Sequence, residues 1–360
     1  EAAPITRSAD VLIIGGGMAA CWAAIMAAQA GAEVLLVDKG FVGTSGVTAT
    51  GGPNHWNSTR TLPYFAARFF DAEGRELDVP PPMSGEAAHL RALARALEAG
   101  PVLADLSDAP DALKQGLRRI QPASLAPFER KGIDLFRDRF PVRLFGEGTV
   151  RGTGGLQIVG AGCETNVPNL YAAGDSATRE LVAGATSGGG AQNAAWALTS
   201  GRIAGAAAAA HARRTGRRGD TPVLAAGTAG LRPASTARLP DAGEGLPIIQ
   251  AATIGYDAAL WRCADKLVRH RDAVEAVWRT IADHGRAEGL GAVALREQAA
   301  MAACARWIVA AALARDESRG MHMRIDRPGT DPAQQSRLLV AGLDHVWTRP
   351  ERPAAQEIAA

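Results

Sequence analysis

The chain has 360 residues, 47% of them hydrophobic, with a mean hydropathy of −0.03 and a formal charge of +2, so it can bury a sizeable core and lacks a disordered composition. A balance this near neutral argues against nucleic acid or an anionic membrane surface as the main partner, and no apolar run reaches bilayer length. The four cysteines, Cys21, Cys163, Cys263 and Cys304, form no CxxC or His/Cys cluster; neither a zinc site nor a disulfide framework is indicated, and reduced thiols in a cytoplasmic protein are expected.

The first element in chain order is the most specific. The apolar run Val11 to Ile14 predicts a buried parallel strand, followed by Gly15-Gly16-Gly17-Met18-Ala19-Ala20, a GxGxxA turn. Helix-forming residues continue to Gln29, Gly31 stops them, and "EVLLV" predicts a second strand ending at Asp38. Each position has a physical task. Gly15 permits the tight turn, and Gly17 lets a pyrophosphate reach the amides of Met18 and Ala19 at the helix start. Ala20 keeps helix and sheet close, and Asp38 can accept hydrogen bonds from a ribose. With strand, turn, helix, strand and acid in register, dinucleotide binding is the expectation. The loop from Lys39 through Thr44, Ser45, Thr50, Gly51 and Gly52 is rich in small and hydroxyl residues, which suits a chain lying along a long cofactor and favours FAD over NAD.

Further on, "DAEG" at residues 71–74 predicts a hairpin turn, and "PDALKQGLRRIQ" a helix. "NLYAAGD" predicts a short strand ending at Gly174-Asp175, whose carboxylate would meet a ribityl chain. The bare stretch "VAGATSGGGAQN" then precedes a long helix. Its Ser187, Gly189, Gly190, Ala191 and Gln192 form a helix start whose free amides suit negative charge on a reduced flavin ring. The Gly/Pro/Ala/Thr-rich residues 216–246 predict a linker or a long surface loop. Long helical patterns follow, one beginning after Asp257 as its N-cap and another running from about Ala292 to Arg315, with Trp261, Trp278 and Trp307 as core anchors.

On these motifs, together with "ESRGMHMRIDRPGTD" at residues 317–331, the chain resembles the flavoprotein family of succinate dehydrogenase, fumarate reductase, L-aspartate oxidase and the adenylylsulfate reductase alpha subunit. The loop after Asp38 places it nearest the last of these. The resemblance implies an α/β fold: a Rossmann-like FAD-binding domain of the glutathione-reductase type, a reduced capping insert and a C-terminal helical domain. The expected boundaries are 1–57 with 140–215 for the FAD domain, 58–139 for the remnant insert, 216–246 for the linker or surface loop, and 247–360 for the helical domain.

The departures from the family matter as much. Ser45 stands where members with covalent flavin carry a histidine, so FAD is expected to be non-covalent. Ser187 stands where the dicarboxylate enzymes carry a substrate-binding arginine, and Val150 is near their histidine; a neutral serine cannot replace a bidentate guanidinium. Succinate and fumarate are therefore disfavoured, and the expected activity is hydride transfer to or from another small anionic substrate. Candidate catalytic residues are His55, Arg151, His322 and Arg324. A ferredoxin-like iron–sulfur subunit is the partner the resemblance implies. The alternative is a non-catalytic flavin-binding electron-transfer or assembly subunit.

Overall fold

The computed structural model describes residues 7–46, 66–81, 86–120, 122–144, 154–183, 190–216, 242–285, 290–320 and 322–351. The chain divides into two compact units, one of Glu1–Asn57, Thr149–Ala229 and Gly289–Val293, the other of Ser58–Gly148, Gly230–Glu288 and Ala294–Ala360.

In the first unit, β1 (Val11–Ile14) pairs in parallel with β2 (Val34–Val37), joined by α1 (Met18–Gln29). Gly31 ends the helix with φ +83°, a left-handed conformation open to glycine without penalty. Val11 and Ile13 pack with Ala23 and Ala27 of α1. The other face of β1 differs from the sequence expectation of a fully buried strand: Leu12 is 58% and Ile14 81% exposed. Among the described residues one layer of helix covers this sheet, where parallel strands usually have two.

The chain re-enters this unit through two isolated antiparallel bridges, Ile158 with Thr165 and Glu164 with Tyr171, which bring it to a 3₁₀ turn at Gly174–Ser176. A strand was expected through Tyr171. Left-handed backbone at Cys163 (φ 63°) and Asn169 (φ 68°) curls the segment too tightly for a regular ladder. After α5 (Glu180–Ala183), the 26-residue helix α6 (Gly190–Thr215) packs along α1.

Among the described residues the second unit has two large cores and a smaller cluster of Ala94, Leu260 and Met323. Around residues 66–144, β3 (Arg68–Phe70), β4 (Val102–Asp105) and β5 (Phe140–Val142) form an antiparallel sheet in the order β3-β4-β5. Helices α2 (Glu86–Ala99), α3 (Asp111–Ile120) and α4 (Pro122–Glu129) accompany it. Phe69, Leu93, Val102, Leu117, Phe136 and Phe140 close a core of their own, each buried side chain contributing about 1.5–3 kcal/mol. This region is more elaborate than the expected hairpin and helix. The expected turn is present: Gly74 has φ +82°, and the Asp71 amide donates to the Arg75 carbonyl at 3.0 Å.

The other core lies between α7 (Ala242–Thr253), α9 (Ala264–His284) and α10 (Leu290–Ala314), where Val274, Trp278, Ile281 and Val309 are buried. Asp257 does not cap a long helix. A four-residue helix, α8 (Tyr256–Ala259), ends early, and α9 starts afresh from Cys263. The cap comes from a distance: Asp326 Oδ2 accepts from the Ala264 amide at 2.9 Å, while the Ile325 amide donates to the Arg262 carbonyl at 2.7 Å. Strands β6 (Leu338–Ala341) and β7 (Trp347–Pro350) then form an antiparallel pair.

Candidate functional site

The glycine turn of β1 and α1 is built for close backbone approach. Gly15 has φ +109°, and its amide donates to the Val37 carbonyl at 2.8 Å, tying the two strand ends together. A Cβ on Gly16 would lie 2.9 Å from the Val42 Cα and from the Ser45 Oγ, and 3.0 Å from the Asp38 carboxyl carbon. Loop residues 38–46 thus fold over the turn, anchored by the Gly43 amide on the Gly16 carbonyl at 2.8 Å. Gly17 caps α1 in extended backbone with no side-chain cap, so the first-turn amides, those of Met18 and Ala19 among them, receive no side-chain acceptor from the cap residue. No acid sits in that first turn. Uncapped amides and the positive end of a helix dipole suit an anion.

Asp38 lies beside this turn. The Gly40 amide donates to its Oδ1 at 2.7 Å and is the main cause holding the carboxyl below its usual range, so it is ionised and its Oδ2 can accept from a ligand hydroxyl. Thr44 donates its hydroxyl to the Phe41 carbonyl at 3.3 Å. Ser45 comes within reach of Gly16, and Lys39 lies between Asp38 and Gly40 in the same loop.

The second glycine region is brought to the first by helix packing. A Cβ on Gly201 would collide with the Ala19 carbonyl oxygen, and one on Gly205 with that of Ala23. Four residues along one helix match four along the other, so α1 and α6 run parallel in direct backbone contact. Arg202 over the Trp22 ring and Arg213 donating to the Ala30 carbonyl continue the match toward their C-termini. Ten more residues of α6 than of α1 precede this contact, which projects the α6 start about 15 Å further in the same direction. Gly190, Ala191 and Gln192 form that start.

Between the two helix starts lies Gly174-Asp175. Gly174 has φ +67°, and a Cβ there would stand 2.9 Å from the Ala19 Cβ. Ala20 packs with the β1–α1 core. In the first turns of α6, both polar atoms of the Asn193 carboxamide are shielded from solvent and have no hydrogen-bond partner among the described residues. A buried amide left unpaired costs about 1–3 kcal/mol, so a ligand that satisfied it would gain that much.

The other site candidates divide in two. Thr50, Gly51, Gly52, His55, Arg151, Ser187 and Gly189 lie outside the described residues. His322 and Arg324 are in the second unit, inside a dense polar knot. Arg324 is 3% exposed and forms a two-pronged pair with Asp326 at 2.8 and 2.7 Å. Glu317, 1% exposed, accepts from Arg315 at 2.8 Å, from Arg319 at 2.7 and 2.9 Å, and from the Asp331 amide at 2.6 Å. These bonds, Arg319 foremost, hold its carboxyl down to about 2. Both nitrogens of His322 are occupied by protein partners, Arg262 and the Arg315 carbonyl. Burial foremost, then Arg262, pushes its pKa down to about 4, so near neutral pH it holds structure and carries no exchangeable charge.

Sequence reasoning passed over Gly16, Asn193 and the pair Gly201 and Gly205. The last had a readable signal, two glycines four apart on a helix of small residues.

This architecture is that of a flavoprotein with a nucleotide-binding βαβ unit. Residues 10–68 match the family described as FAD binding domain, and residues 256–346 the one described as Fumarate reductase flavoprotein C-term. In these two regions the chain is similar to the succinate dehydrogenase/fumarate reductase flavoprotein family. L-aspartate oxidase of Caulobacter vibrioides is 35% identical over 168 residues, which is 46% of this chain and 26% of that protein. L-aspartate oxidase of Rhodospirillum rubrum is 54% identical over 55 residues, 15% of this chain and 20% of that protein. The chain therefore spans about a quarter or less of these curated relatives. Among solved structures, E. coli quinol fumarate reductase FrdA superposes with a TM-score of 0.59 at 15% identity, over 83% of this chain and 56% of that one. The Mycobacterium smegmatis Sdh1 complex in the apo form gives 0.51 at 20% identity, over 76% and 48%. At such identities the likeness is one of fold. No helix among the described residues is long and apolar enough to cross a membrane.

Proposed function

We propose that the chain is an FAD-dependent oxidoreductase that binds the cofactor without a covalent bond. The observation that carries this reading is the parallel packing of α1 on α6 through Gly201 and Gly205, which turns the uncapped start of α1 and the start of α6 the same way. The residues present fit FAD: amides at Gly17 to Ala19 for the pyrophosphate, Asp38 for the ribose, Asp175 for the ribityl chain. The unpaired Asn193 carboxamide stands near the α6 start, where the ring system would lie.

The chemistry FAD supplies when bound is two-electron hydride transfer. The chain's own part is to bind, orient and stabilise charge: the α6 start favours negative charge on a reduced ring. A small anionic substrate other than succinate or fumarate is the proposed reactant, because Ser187 stands where the dicarboxylate enzymes carry arginine. His55 and Arg151 are the proposed groups for proton transfer and anion binding. We also retain the glutathione-reductase-type arrangement, the adenylylsulfate-reductase-like affiliation and a ferredoxin-like iron–sulfur subunit as electron partner. That same serine favours a second reading, a non-catalytic electron-transfer or assembly subunit.

Photoreducing the purified yellow protein and screening oxidised acceptors separates these. Reoxidation by a small organic acceptor, with saturation, supports the enzyme. Reoxidation by an iron–sulfur protein alone supports the electron-transfer subunit.

A further inference from the structure

From the contacts at Gly174 we infer that Trp196 and Ser200 are positioning residues, which lock the Gly174-Asp175 turn to α6 and so aim the Asp175 carboxylate at the cofactor. The inference rests on the flavin reading and deepens it.

Both backbone polar groups of Gly174 are held by side chains one helical turn apart. The Gly174 amide donates to Ser200 Oγ at 2.9 Å, and Trp196 Nε1 donates to the Gly174 carbonyl at 3.0 Å. The Ser200 hydroxyl, 0% exposed, donates its own proton back to the Trp196 carbonyl, so its orientation is fixed and its lone pair faces Gly174. On the opposite side, the Ala19 Cβ fills the space where a side chain on Gly174 would stand. With its N–H and C=O both bonded and its Cα packed, Gly174 is held in both flanking peptide units, the second of which leads into Asp175. That carboxylate is exposed and accepts no hydrogen bond among the described residues, so the clamp does not serve an internal partner of Asp175. Asn193, one turn before Trp196 on the same face of α6, is likewise unsatisfied. The clamp thus joins three things in one rigid piece: the α1 start, the acidic turn and the α6 start. Rigid support of this kind places the backbone from which the carboxylate reaches a ligand.

The test is a double-mutant cycle on FAD affinity, read by flavin fluorescence, with melting temperature recorded in parallel. Trp196→Phe keeps the ring and removes the donor; Ser200→Ala removes the acceptor. Each is expected to weaken FAD binding about tenfold and to alter the visible circular dichroism of the bound flavin, whereas Ser200→Thr, which keeps the hydroxyl, restores both. In an Asp175→Ala background the same changes should alter affinity less than twofold. If the factors instead multiply undiminished, or if only the melting temperature moves, the residues are structural and the inference is overturned. Should Trp196→Phe fail to fold, Ser200→Ala reads the same clamp from its other end. Wild-type protein that takes up no FAD overturns the flavin reading itself, and the clamp's proposed purpose with it.

Discussion

Arg262 donates from Nη1 to Nδ1 of His322 across 2.9 Å. A guanidinium has no acceptor, so Nδ1 must be the bare nitrogen, and Nε2–H donates to the Arg315 carbonyl at 3.0 Å. One neutral tautomer is thereby fixed. With the folded-state pKa pushed from 6.5 down to about 4, the unfolded chain binds this proton first as the solution is acidified. The associated stability is complete above pH 6.5 and is lost as pH falls toward 4, with a slope of up to about 1.4 kcal/mol per pH unit. Urea denaturation from pH 7.5 to 4.5 should show this slope. His322→Gln should flatten it, and an unchanged slope in that variant would contradict the assignment.

Glu317 makes a second, more acidic contribution. Its folded value near 2 lies below the ordinary 4.5, so the stability it supplies is present above pH 4.5 and lost as pH falls toward 2. Glu317→Gln leaves two arginines with a neutral acceptor, in a site where the glutamate is 1% exposed. The expected cost is about 3 kcal/mol at pH 7, measured as a lower urea midpoint. A loss within experimental error of zero would show that the knot relaxes onto solvent.

Gly205→Ala sets two effects against each other. Helix propensity alone predicts a gain of about 1 kcal/mol in the interior of α6. The new Cβ would collide with the Ala23 carbonyl oxygen, and the overpacking costs about 1–3 kcal/mol. Because that oxygen is backbone of α1, it cannot swing aside as a flexible side chain would, and net destabilisation is expected together with weaker FAD binding. A variant more stable than the wild type would show that the helices are not in backbone contact.

How far the sequence could be read depended on the range of the interactions involved. The β1–α1–β2 unit was legible because strand, glycine turn, helix and terminal acid all lie within residues 11–38, and the hairpin at residues 71–74 for the same reason. The start of α9 was not: its cap is Asp326, 62 positions away from Ala264, so local patterning pointed to Asp257, whose carboxylate instead pairs with Lys266. Trp196 and Ser200 read only as helix positions, since their partner Gly174 is a backbone group more than twenty residues upstream. Leu12 and Ile14 carried the apolar signal of a doubly covered strand, and apolarity alone does not tell whether a second layer is supplied. In the C-terminal signature, His322 and Arg324 were legible as a motif, while their engagement with protein partners required coordinates.

The most direct measurement is a titration of the flavin-stripped protein with FAD, followed by flavin fluorescence and checked by acid release of the bound cofactor. Two helix starts held in one cradle predict saturation at one FAD per chain, with release of intact FAD on denaturation and no flavin left on the polypeptide. A protein that remains folded yet shows no saturable change, or that retains flavin after denaturation, contradicts the account.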